Sequence, residues 1–197
     1  MRINKFISHN TNYSRREADE LLKAGKVSIN GRVVSDLSTE VKDSDKVRIG
    51  SRLIKLKKEF SMIVYNKQKG ELVTKKDDRG RKTIYDTLPR GFSKFISVGR
   101  LDYASEGLLL LTDAPAIAQA LMNSDIEREY YLKIKGEITE QVINAMREGF
   151  FAKDATKGAH AKTKQISMEF KPFLAYKIIS QSGGYTRLKV IISEGQK

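Results

Sequence analysis

Apolar residues recur at helical spacing at Ile3, Phe6 and Ile7, and again at Ala18, Leu21 and Leu22. Between the two groups, Ser14 and Glu17 stand in the S-x-x-E spacing of a capping box, where each side chain satisfies an orphan backbone donor at a helix start. Two short helices are predicted, the second stopping near Gly25. The pattern then changes to alternation. Val27, Ile29 and Val33 flank Asn30-Gly31, a strong hairpin signal, and Lys46 to Ile54 reads as one further strand. Residues 1–58 thus form a small domain of two helices and a turn-rich sheet.

Beyond it, SMIVYNK reads as a strand. A polar, charged loop, KGELVTKKDDRGRKTIYDTLP, runs to Pro89. It holds Lys75, Lys76, Arg79, Arg81 and Lys82 beside Asp77 and Asp78, with a tight turn expected at Gly80. This stretch is either a solvated hairpin or an arm that probes a polyanion. FISV and the run Leu108 to Leu111 are short and apolar, as buried strands are. Helices are expected over Ala114 to Asn123 and over Thr139 to Glu148. The second has Thr139 as N-cap, a stripe of Val142, Ile143 and Met146, and Gly149 at its end. EYYLKIKG, KQISMEF, YKIISQ and TRLKVIIS read as strands. Many strands with irregularly interleaved helices give an α+β class with a mixed sheet over residues 59–197.

Charge adds a partner to this picture. The 197 residues carry 37 Lys+Arg against 24 Asp+Glu, a net +13. Residues 1–58 alone hold 14 cationic and 7 anionic side chains, so the first domain is the denser positive module. Nucleic acid is the first polyanion to consider. The chain has no cysteine, hence no disulfide and no thiolate metal site, as suits a reducing cytosol. His9 and His160 are far apart in sequence, which argues against a histidine metal site. The first residues, MRINKFISHN, lack the apolar core of a signal peptide, and no stretch has the apolar length of a bilayer span. The expectations are a cytoplasmic monomer with no metal, no cofactor and no membrane partner.

One acidic residue stands out chemically. Asp102 falls between FISV-Gly-Arg-Leu and the four-leucine run, where a carboxylate must be paired, solvated or used. It could stabilise a turn, pair with Arg100, or act in catalysis, alone or with nearby Glu106 as in sugar chemistry. No Ser-His or Cys-His arrangement, Walker loop or dinucleotide loop competes with it.

Four stretches carry a family resemblance. "INKFISHNTNYSRREADELLKAGKVSINGRVV" resembles an S4 RNA-binding domain. Likewise "VGRLDYASEGLLLLTD", "YNKQKGELVTKKDDRGRKTIYDTLP" and "EREYYLKI" resemble motifs of bacterial ribosomal-RNA pseudouridine synthases of the RsuA/RluB type. Such enzymes also carry an S4 domain in front. The resemblance implies an S4 domain followed by a pseudouridine synthase domain that turns a specific uridine of ribosomal RNA, by preference in the large subunit, into pseudouridine. It makes Asp102 the essential residue, acting as nucleophile or base. It makes Tyr130 the wall against the target base, and Arg100 a helper that holds the loop or touches RNA. Lys5, Arg15, Arg16 and Lys23 become phosphate contacts of the S4 face, with Arg79 and Arg81 of the charged loop as further RNA contacts. The alternative is a non-catalytic S4-type RNA-binding protein that retains a partial synthase fold.

Two departures qualify the resemblance. The family's K-P-x-G stretch reads Lys67-Gln68-Lys69-Gly70, without the proline. The family also continues past S-E-G into an N-R-Q-I-R-R-like motif whose arginine pairs with the catalytic aspartate, whereas this sequence reads Ser193-Glu194-Gly195-Gln196-Lys197. The expectation is a C-terminally incomplete synthase domain that binds RNA but does not make pseudouridine at an appreciable rate.

Overall fold

In the first element, α1 (Ile3–Asn10), Ile3 and Ile7 point inward and are fully buried. The computed structural model describes residues 1–154 and 167–193. Helix α2 (Arg15–Lys23) starts in the expected capping box. The Ser14 hydroxyl accepts from the Glu17 N–H at 3.2 Å, and the Glu17 carboxylate accepts from the Ser14 N–H at 2.7 Å. Both helices pack their apolar faces on a four-stranded antiparallel sheet in the order β2-β1-β3-β4. Its strands are β1 (Val27–Ile29), β2 (Arg32–Val33), β3 (Val47–Ile49) and β4 (Arg52–Leu53). Asn30-Gly31 makes the β1–β2 turn. The single strand expected over Lys46 to Ile54 is instead a second tight hairpin. Gly50 turns it at φ +56°, a left-handed conformation that suits glycine, and the apolar alternation hides the break.

Next, β5 (Met62–Lys67) pairs antiparallel with β7 (Gly107–Thr112), and β7 pairs with the short β6 (Ile96–Ser97). The segment expected as strand FISV is ordered as a strand only at Ile96 and Ser97, and Leu101 lies in the loop that follows. The four-leucine run is not buried on both faces either. Leu109 and Leu111 point into a core with Val73, Ile84, Leu88 and Phe95, while Leu108 is 69% exposed. The charged loop contains a one-turn helix, α3 (Ile84–Thr87), and a 3-10 turn follows at Arg90–Phe92. The base of the loop is stitched: the Leu72 N–H donates to the Lys82 carbonyl, and the Ile84 N–H to the Leu72 carbonyl, each at 2.9 Å. Helix α4 (Pro115–Met122) closes this unit, Met1–Met122.

The second unit, Asn123–Lys197, is built on β8 (Arg128–Lys135), β11 (Ala175–Ser182) and β12 (Tyr185–Ile192), antiparallel in the order β11-β12-β8. Helix α5 (Glu140–Glu148), N-capped by Thr139, buries Met146 against Leu188 and Val190 on one face of that sheet. A small ribbon joins β9 (Phe150–Ala152), which the sequence pattern did not signal, to β10 (Met168–Phe170). KQISMEF is a strand from Met168; residues 164–166 lie outside the described residues, as does His160.

Candidate active site

Asp102 sits in the connection between β6 and β7, and its carbonyl is bonded by Lys67 at the end of β5. Alternation along β5 turns Ile63, Tyr65 and Lys67 inward, and Lys67 is fully buried. Its ammonium donates to three carbonyls: Gln68 at 3.0 Å, Asp102 at 2.9 Å and Ser105 at 2.6 Å. The Asp102 carbonyl also accepts the Ser105 N–H at 3.0 Å, and the Gly70 N–H donates to the Tyr103 carbonyl at 2.8 Å. The backbone of Asp102–Ser105 is thus pinned by the chain from Lys67 to Gly70, while the Asp102 residue itself is exposed. Burial lowers the Lys67 pKa from lysine's ordinary value, and the negative charges of Glu71 and Asp102 pull it back upward.

A second buried charge braces the clamp. Glu71, 1% exposed, accepts from the Thr87 hydroxyl at 2.6 Å, the Tyr65 hydroxyl at 2.7 Å and the Gln68 N–H at 3.3 Å. It also pairs with Lys82 at 3.1 Å. Burial alone would raise its pKa, but the hydrogen bonds from Thr87, Tyr65, Lys82 and Gln68 outweigh burial and hold it at about 2. The Tyr65 hydroxyl is pushed the other way, to about 12, by burial and then by its bond to Glu71. The missing proline acquires a local meaning here. Residue 68 donates its N–H to Glu71, a bond that proline could not make.

Lys67 and Glu71 were not candidates from sequence. A lysine and a glutamate in a basic chain read as surface charge, and only the inward phase of Ile63, Tyr65 and Lys67 marks one of them. Arg100 is exposed, two residues before Asp102. At the loop mouth, Lys69 pairs with Glu106 at 3.0 Å, both largely exposed.

The candidate RNA contacts of the first domain lie around α1 and α2. Arg15 and Arg16 are the exposed first two residues of α2, where cations oppose the helix dipole. Lys5 and Arg15 line one shallow depression with Met1, Arg2, Asn4 and Glu40. Lys23 pairs with Glu20 at 3.0 Å. In the charged loop Arg81 is held by Asp77 through two side-chain bonds, of 2.7 and 3.2 Å. Asp77 also accepts the N–H groups of Arg79 and Arg81, so a local turn already organises this arm. Tyr130 lies in the second unit, on the β8 face that packs with Leu188 and Val190, whereas Tyr131 on the opposite face is 70% exposed. Among the described residues no cluster of three or more His, Asp or Glu could hold a metal, and no helix is long and apolar enough to cross a membrane.

The S4 domain model matches residues 1–47, and the model for RNA pseudouridylate synthases matches residues 61–197. The chain belongs to the RNA pseudouridylate synthase family of isomerases and carries an S4 domain ahead of the synthase fold. It is 50% identical, over its whole length and 75% of the other protein, to an uncharacterized RNA pseudouridine synthase of Helicobacter pylori (strain ATCC 700392 / 26695). It is 34% identical to the ribosomal large subunit pseudouridine synthase B of Bacillus subtilis (strain 168), over 86% of this chain and 70% of that one. A crystal structure of a pseudouridylate synthase superposes with a TM-score of 0.57 at 25% identity, covering all of this chain and 79% of the other.

Proposed function

We propose that this protein converts one uridine of large-subunit ribosomal RNA to pseudouridine, with Asp102 as the essential carboxylate. The observation that carries the reading is the clamp: a fully buried ammonium spent on the carbonyls of Asp102 and Ser105. Burying a lysine is costly, and a surface turn gives no reason for it. A loop that must present a carboxylate in one fixed position does. The Bacillus subtilis relative, named for the large subunit, supports the choice of RNA.

In this reading residues 1–58 anchor the RNA backbone through Lys5, Arg15, Arg16 and Lys23, and residues 59–197 carry the chemistry. Arg79 and Arg81 add contacts from the charged loop, and Arg100 steadies the RNA beside Asp102. The target uridine leaves the stack, since its glycosidic bond is otherwise out of reach. The N1–C1′ bond breaks, the uracil turns against the ring of Tyr130, and a C5–C1′ bond forms. The C5 proton passes to solvent and N1 gains one, so the reaction is an isomerisation with no net redox change and no demand for a cofactor. The protein works as a monomer in the cytoplasm, where ribosomal RNA is its partner.

The test is tritium release from ribosomal RNA labelled at C5 of uridine, incubated with the full-length protein, followed by mapping of the modified position. Release from one large-subunit site is expected. RNA binding without release would return the non-catalytic reading, and a small-subunit site would refute the choice of subunit.

A further inference from the structure

The α5-free face of the β11-β12-β8 sheet has no counterpart in the chemistry above. Its composition is set by register. Tyr131 on β8 lies opposite Lys189 on β12, Lys133 opposite Arg187, and Lys135 opposite Tyr185, while Lys177 on β11 lies opposite Lys189. Odd-numbered positions of β8 and β12 therefore share one face, since side chains alternate along each strand. Among the described residues, the one carboxylate that these strands place on it is Glu129, which pairs with Lys189 at 2.8 Å. Five cations against one anion leave the face strongly positive.

Two aromatic rings interrupt the cations. Tyr131 is 70% exposed and Tyr185 44% exposed. The Lys133 ammonium stands 4.3 Å from the Tyr185 ring centre, and that of Lys189 stands 5.8 Å from the Tyr131 ring centre. Each ring therefore has a flanking cation. Four residues along a strand separate the two ring positions by about 14 Å. A face meant only to keep a sheet soluble needs charge, but gains nothing from exposed tyrosines. Rings with interleaved cations match a flexible polyanion with flat bases, because bases stack on the rings while phosphates meet the ammonium and guanidinium groups.

We infer that this face is a docking surface for a single-stranded stretch of RNA. The inference rests on the proposed function only for the identity of the polyanion. Neither ring takes part in isomerisation, so the face governs how tightly and where RNA is held.

The experiment measures binding of a mixed-sequence single-stranded oligoribonucleotide, and of its duplex, to the full-length protein. Tyr131→Ala with Tyr185→Ala should weaken single-strand binding on the order of 100-fold, from a tenfold loss per stacked base. Duplex binding and unfolding temperature should hold, because both rings are solvent-exposed. Tyr131→Phe with Tyr185→Phe should restore binding, since stacking needs the ring and not the hydroxyl. Lys133→Ala with Arg187→Ala should lower the log–log salt slope by about one for each phosphate no longer neutralised. Wild-type affinity in the double alanine variant, or an equal loss for single strand and duplex, would overturn the inference. Tritium release separates it from the proposed function. If the wild-type protein releases none while the tyrosine variant still loses RNA, the docking face stands and the isomerase reading falls. If release is normal and the variant binds like wild type, the face falls and the isomerase reading stands.

Discussion

Replacing Lys67 with methionine keeps a long, unbranched side chain and removes its charge and donors. Three ammonium–carbonyl hydrogen bonds disappear, each contributing about 1.5–3 kcal/mol when one partner is charged. Against this gross loss of roughly 5–9 kcal/mol stands the cost of burying an ammonium, several kcal/mol, which methionine does not incur. The Asp102 carbonyl keeps the Ser105 N–H, so the Gln68 and Ser105 carbonyls are the ones left short. The net destabilisation should be about 2–4 kcal/mol, read by chemical denaturation. The larger effect should be on turnover. Once Asp102–Ser105 is free to shift, a displacement of about 1 Å costs on the order of 100-fold in rate. Single-turnover tritium release should fall by about that factor with RNA affinity within a few-fold of wild type, and hydrogen exchange should quicken at the Ser105 amide. A Lys67→Met protein that folds, turns over normally and keeps slow exchange at Ser105 would refute the clamp.

Glu71 gives a pH signature. Its folded pKa of about 2 lies below the ordinary 4.5, so it contributes about 3 kcal/mol that is fully present above pH 4.5 and lost as pH falls toward 2. Glu71→Gln should flatten stability against pH over that window, and an unchanged profile would place the acid sensitivity elsewhere. Arg15→Ala with Arg16→Ala should weaken RNA binding and reduce the log–log salt slope by about one per phosphate left unneutralised; an unchanged slope would mean that both side chains face only solvent. Tyr130→Ala should lower kcat with little change in KM, by about 1–3 kcal/mol of forfeited stacking, whereas Tyr131→Ala should act on RNA affinity. A larger kcat loss in Tyr131→Ala would reverse the assignment of the two ring faces.

Local signals in the chain were readable where their partners are close in sequence. The Ser14–Glu17 box, the Asn30-Gly31 turn and the Thr139 cap all bond within a few residues, and each stands where spacing alone put it. Asp102 was visible because a carboxylate between apolar runs requires a reason. What supports it was not visible. Lys67 reaches carbonyls 35 and 38 residues away, and no local periodicity encodes such a bond. Glu71 read as one more loop charge because its partners, Tyr65 and Thr87, belong to a strand and a one-turn helix on either side. The stretch from Lys69 to Pro89 looked structureless for the same reason. Ile84 and Leu88 stand one helical turn apart, too short a run to read as a helix, and buried Val73 falls outside any helical or strand period. Gly50 was in plain view, but an apolar alternation on both sides masked the hairpin it makes.

In the proposed reading Asp102 carries the isomerisation from a backbone that Lys67 and its neighbours hold in place. Asp102→Asn tests it most directly, because the amide preserves shape and the carbonyl bonded by Lys67 while removing the carboxylate. Single-turnover tritium release should vanish while RNA affinity and the unfolding midpoint stay near wild type. Release near the wild-type rate from Asp102→Asn would contradict the account and move the chemistry to another residue.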